Sequence, residues 1–151
     1  MKTWVKIVLI CLLLAFLAVV GAGFAFYKWV TGAVHEADTL VPAAQREGRS
    51  FAAHATQDGC VDQAVTRATA CSSIGCEVAE KSFLQSCFAA ATPDAKVCDG
   101  VPPPDKIVDS AMWGVKECQR RGHAGNQRCT RLLQEMQSLC AGAGATAKDG
   151  G

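Results

Sequence analysis

The chain carries no excess of charge of either sign: 15 Lys and Arg stand against 14 Asp and Glu in 151 residues. Without Lys2 and Lys6 the balance from Lys28 onward is 13 against 14. A dedicated nucleic-acid binder normally shows a clear basic excess, so no nucleic-acid partner is expected. Only one Tyr is present, and branched aliphatics are few outside one apolar run, which argues against a large β-sandwich. Catalytic signatures are also missing. No C-x-x-C of the thioredoxin-like redox type occurs, no G-x-S-x-G, and no phosphate-cradling glycine loop. His35-Glu36 is not followed by the second His of a zinc-protease helix. His35, His54 and His123 lie far apart in stalk or turn, where solvated surface is their expected place. The chain is not expected to be an enzyme or to hold a cofactor.

Two features are abundant instead. The first is an uncharged run of 21 residues from Ile7 to Tyr27, IVLICLLLAFLAVVGAGFAFY. At about 1.5 Å per residue it matches the thickness of a hydrocarbon core. Trp4 before it, and Tyr27 and Trp29 at its end, occupy the positions of interfacial aromatics. Lys2 and Lys6 precede the run, and Lys28 beyond it is soon offset by Glu36 and Asp38. The positive side is therefore the N-terminus, residues 1–6, expected in the cytoplasm. A cleaved signal peptide is the alternative, since Gly21, Gly23 and Ala25 offer small residues to a peptidase. The run is long for that, and Phe24, Phe26 and Tyr27 crowd any cut site, so residues 7–27 read as a signal anchor contacting the lipid bilayer. Ile10 before Cys11 speaks against lipidation, while Gly21 and Ala25 form a small-xxx-small pair able to pack a second membrane helix.

The second feature is nine cysteines, one in the apolar run and eight after it. An even number on the side expected to be non-cytoplasmic suits paired disulfides in an oxidising compartment. A single-pass inner-membrane protein with a periplasmic domain follows as the expected location. The spacing of the eight is informative. Cys60 to Cys71, Cys76 to Cys87, Cys87 to Cys98, Cys118 to Cys129 and Cys129 to Cys140 are each separated by eleven positions. Eleven residues turn an α-helix only about 20° past three full turns, so both cysteines lie on one face, about 16.5 Å apart. On a strand the odd interval would put them on opposite faces. Helices are favoured over the short knuckles of zinc sites, and no metal is expected.

Cys60, Ala64, Ala68 and Cys71 form one stripe with Val61 and Val65 beside it, and Asp58 suits the N-cap. Cys76, Ala79, Phe83, Cys87 and Ala90 form a second, ended by Thr92-Pro93. Joined by the short turn Ser72-Ser73-Ile74-Gly75, these helices must run antiparallel, which pairs Cys71 with Cys76 and Cys60 with Cys87. The pattern C-x10-C-x4-C-x10-C over residues 60–87 resembles the twin CX9C hairpins of coiled-coil-helix proteins of the mitochondrial intermembrane space, with intervals of ten in place of nine. The resemblance implies the stapled architecture and carries no function.

Beyond the rigid VPPP link (Val101 to Pro104), residues 105–121 read as a helix. Ile107, Val108, Ala111, Met112, Val115 and Cys118 are expected inward, and Gly122 is the stop. Asn126 can cap the next helix, whose stripe is Cys129, Leu132, Leu133, Met136, Leu139 and Cys140. Cys118 should pair with Cys129 beside the turn, leaving Cys98 for Cys140. Cys60-Val61-Asp62-Gln63-Ala64 aligns with Ile107-Val108-Asp109-Ser110-Ala111, as an internal duplication would.

The expected fold is thus all-α: an N-terminal transmembrane helix, a helical stalk over 28–57, and two disulfide-stapled antiparallel helical hairpins at 58–91 and 105–141 within a domain spanning 58–141. The stalk should break at Val41-Pro42 and weaken at Gly48, and the tail 142–151 should be disordered. Around the second turn, Arg120, Arg121, Arg128 and Arg131 gather as a possible contact for an anionic partner. The expected role is a membrane-anchored, non-catalytic module binding a protein or envelope component. The alternative is a thiol-disulfide exchange protein whose labile bridge is the Cys98 pair.

Overall fold

The structure, a computed structural model, describes residues 2–148 and is all-helical: α1 (Lys2–Ala52), α2 (Gln57–Ala70), α3 (Ile74–Ala90), α4 (Ile107–Arg120) and α5 (Gln127–Lys148). Residues up to His35 form one compact unit and those from Glu36 a second.

The first unit is the apolar part of α1. Leu12, Leu13, Phe16, Leu17, Phe24 and Phe26 are all exposed along it. Its mean hydropathy of 3.0 makes it the one helix among the described residues long and apolar enough to cross a membrane. It fits a membrane anchor.

The second unit opens with the last turns of α1, and here the expected stalk is corrected. The helix runs unbroken through Pro42 to Ala52. Pro42 removes one backbone donor on an exposed face. Two residues on, α1 packs down, burying Ala44, Gly48 and Ala52 at helical spacing. Gly48 is a contact point: a Cβ there would stand 2.5 Å from the Phe83 carbonyl oxygen. Phe51 meets the Phe83 ring at 6.0 Å, and Glu47 pairs with Arg67 at 2.7 Å. Tertiary contact thus outweighs the local cost of proline and glycine.

Thr56, not Asp58, caps α2, its hydroxyl accepting from the Gly59 N–H at 3.2 Å. Ser73 caps α3 in the same way through the Cys76 N–H. Cys71 and Cys76 lie within disulfide distance across the turn between these helices, and Cys60 and Cys87 join the start of α2 to the end of α3. Thr56 and Thr92 add an isolated parallel bridge beside that end. Gln57 holds it too, donating to the Phe88 carbonyl and accepting from the Asp94 N–H.

Helix α4 ends in a Schellman motif. Gly122, at φ +82°, donates to the Gln119 carbonyl, and His123 donates to that of Cys118. Asn126 then accepts from the Arg128 and Cys129 N–H groups at the start of α5. Cys118–Cys129 and Cys98–Cys140 are the remaining pairs within disulfide distance. Helix α5 packs against α2, α3 and α4, placing Leu132, Leu133 and Met136 in one core with Val61, Val65, Phe83 and Leu84. It continues to Lys148, through most of the segment expected to be a disordered tail; residues 149–151 lie outside the described ones.

Candidate interaction surface

The apolar face of α4 points outward. Ile107, Val108, Met112 and Val115 are 79, 70, 55 and 55% exposed, and Ala111 between them is exposed as well. Turning 100° per residue, these five share one face of the helix. The helical periodicity predicts them inward with Cys118, and only Cys118 is buried. The cause is the contact with α5. Gly114 and Cys118 are the buried residues of α4; Cys118 bonds to Cys129, and Gly114 lies against Thr130. Small residues let the two backbones approach on one side, which turns the bulky side chains of the same amphipathic helix to solvent.

The aligned segments of the supposed duplication are therefore unlike in their surroundings. Cys60, Val61 and Ala64 are buried, whereas Ile107, Val108 and Ala111 are exposed.

A further clamp fixes the C-terminal end of α4. The Arg121 side chain is only 7% exposed, and its guanidinium meets Asp58 at 2.6 Å, Asp62, and Glu117 at 2.8 Å. Burial works against the Arg121 charge, but the hydrogen bonds to Asp58 and Glu117 outweigh it and hold the group above its ordinary range. Arg120 also pairs with Glu117, and hydrogen bonds first from Arg120 and then from Arg121 hold that carboxyl below its ordinary 4.5, against the opposing effect of burial. Arg128 and Arg131 share Glu77 of α3, at 3.2 and 2.9 Å.

The four arginines read as an anionic-partner contact are thus engaged within the fold. For Arg121 that reading is corrected, because its side chain is buried and its donors are spent on carboxylates of α2 and α4. Arg120 and Arg131 keep half or more of their surface, each beside an acid. No sequence pattern signals the pairs that Arg121, Arg128 and Arg131 make with α2 and α3, which join residues 51 to 63 positions apart.

Two clefts adjoin the same region. One, of about 330 Å³, is lined by Trp113, Val97, Val101 and charged groups including Asp94, Asp99 and Lys96. The other, about 200 Å³, lies beside Cys98 and Cys140 between Val101, Pro102, Pro103 and Gln137. Cys98 and Cys140 are half-buried, whereas Cys60, Cys87, Cys118 and Cys129 are fully enclosed. Gln137 is 5% exposed, and its amide nitrogen has no partner among the described residues. His35 and His54 are exposed, and His123 is half-buried beside Asp62 and Arg121. Among the described residues no three of His, Cys, Asp and Glu are grouped to hold a metal ion. Comparisons with known families, curated proteins and solved structures give no match to this chain.

Proposed function

We propose that the chain is a membrane-anchored, non-catalytic module that binds a protein through the outward face of α4. In this reading residues 7–27 are an uncleaved signal anchor, and everything beyond about Trp29 lies outside the cytoplasm. Helices α2 with α3, and α4 with α5, then act as two stapled antiparallel hairpins. Lysine asymmetry about the apolar run and eight cysteines within pairing distance beyond it support this topology.

The observation that carries the reading is the exposure of Ile107, Val108, Met112 and Val115 on one helix. An unpartnered stripe of this kind on a helix held in place by a disulfide marks an interaction site. A photo-crosslinking amino acid at Met112 in the full chain in its membrane should form an adduct, and one at exposed Thr66 should not. Equal labelling at both positions, or none at Met112, overturns the reading.

A second reading rests on the Cys98–Cys140 bridge, the more open pair beside a cleft. A client dithiol would attack one sulfur, releasing the other as thiolate, and its second thiol would then resolve the mixed disulfide, leaving the client oxidised and Cys98 and Cys140 reduced. A bridge potential as low as that of structural disulfides argues against this role.

A further inference from the structure

The partner of the α4 face is, we propose, a second copy of this chain, bound antiparallel across a two-fold axis near Ala111. The inference rests on the reading of α4 as the interaction site and names its occupant. Charge along the edge of the stripe carries it.

On a helix turning 100° per residue, Gln119 and Lys116 border the apolar face on one side, with Asp109 further round the same side, and Asp105 stands in the turn just before α4. The opposite border is Gly114 and Cys118, closed by α5. Asp105, Asp109 and Lys116 have no side-chain partner among the described residues. The acids thus stand at the start of the helix and the base near its end.

When two identical helices pack face to face and antiparallel, like edges meet. Residue 107 of one then stands across from 115 of the other, and Ala111 faces its own copy. At about 1.5 Å per residue, Lys116 of one copy falls axially between Asp105 and Asp109 of the other, and the symmetry repeats the contact. A parallel arrangement would instead set this polar edge against the closed one and leave the charges unmatched. Edge charges of this kind select orientation in paired helices.

Anchors in one bilayer would raise the effective concentration of the copies and lower the affinity the contact needs.

The test uses full-length chains carrying two different tags, reconstituted together into phosphatidylcholine vesicles, solubilised in mild detergent and captured by one tag. Wild-type copies should co-purify. Lys116→Glu makes the edge all acidic, and Asp105→Lys with Asp109→Lys makes it all basic. Neither variant should pair with itself, and the two should pair with each other. An all-acidic variant that pairs with itself as well as wild type overturns the proposal, as does failure of wild-type copies to co-purify. Co-purification that survives Ile107→Ser with Val115→Ser also overturns it, because the apolar α1 would then be the contact. If wild type stays unpaired while the crosslinker at Met112 captures a different protein or lipid, the second copy is excluded. The α4 face then remains an interaction site for the captured protein, whereas capture of lipid alone, like no adduct at all, removes the protein-binding reading as well.

Discussion

Gly114 of α4 lies against Thr130 of α5 so closely that a Cβ at position 114 would stand 3.1 Å from the Thr130 methyl group. Together with the Cys118–Cys129 bridge one turn on, this contact sets the rotation of α4 and decides which of its side chains meet solvent.

Gly114 and Gly48 should respond oppositely to the same substitution. In Gly114→Ala the neighbour is the tip of a short side chain that can give, while alanine gains up to about 1 kcal/mol of helix propensity. Stability should hold or rise. In Gly48→Ala the new methyl group would meet the Phe83 carbonyl oxygen at 2.5 Å, and backbone cannot give as cheaply. Overpacking of this kind costs about 1–3 kcal/mol, which exceeds the gain in propensity. Urea denaturation of both variants with disulfides intact checks the contrast.

Arg121→Met removes the guanidinium that Asp58, Asp62 and Glu117 share. Asp58 and Asp62 keep much of their contact with water, which limits the loss, but Glu117 is largely buried. Stability should fall by about 2–4 kcal/mol, toward the range for breaking a buried ion pair. Arg131→Met, on an exposed side chain, should cost less than about 1 kcal/mol. Equal losses in chemical denaturation would contradict the clamp assigned to Arg121.

The depressed Glu117 pKa sets a pH dependence. A carboxyl whose folded pKa lies below its unfolded value contributes fully above the unfolded value, near 4.5. That contribution disappears as pH falls through the folded value. Glu117→Gln should therefore be less stable than wild type at pH 7, and the difference should shrink below about pH 4.5. Melting curves from pH 7 to pH 2 measure it.

The bridges should differ in accessibility. Half-buried Cys98–Cys140 should be reduced before fully buried Cys60–Cys87 under mild dithiothreitol, as read by alkylation and peptide mapping. Replacing Cys60 and Cys87 together by Ala should cost about 3.6 kcal/mol by chain entropy alone.

How far the sequence reveals the structure differs between neighbouring segments. The cysteine partners were legible because an interval of eleven has a plain meaning on a helix, and short turns then leave few ways to pair. The rotation of α4 was not. Cys118 lies at the edge of a broad apolar stripe, and periodicity shows that a stripe exists without saying which part of it is buried. Gly114 was the available signal, since a glycine inside a helix often marks close backbone approach. The continuation of α1 through Pro42 depends on Phe83 and Cys87, some forty residues away, and local propensity carries no trace of them. The same holds for Arg121, whose carboxylate partners on α2 come together with it only in the folded unit.

Oxidative footprinting of Met112 and Met136 in the full chain tests the central claim most directly. Met112 is 55% exposed on the outward face of α4, and Met136 is 2% exposed in the core. In detergent-solubilised chain diluted until sedimentation shows it monomeric, hydroxyl radicals should convert Met112 to the sulfoxide quickly and Met136 slowly. In the membrane, where the partner is present, Met112 should become protected while Met136 is unchanged. Protection of Met112 matching that of Met136 in the dilute chain would mean the apolar face is turned inward. Equal oxidation of Met112 with and without the membrane would mean that nothing binds there.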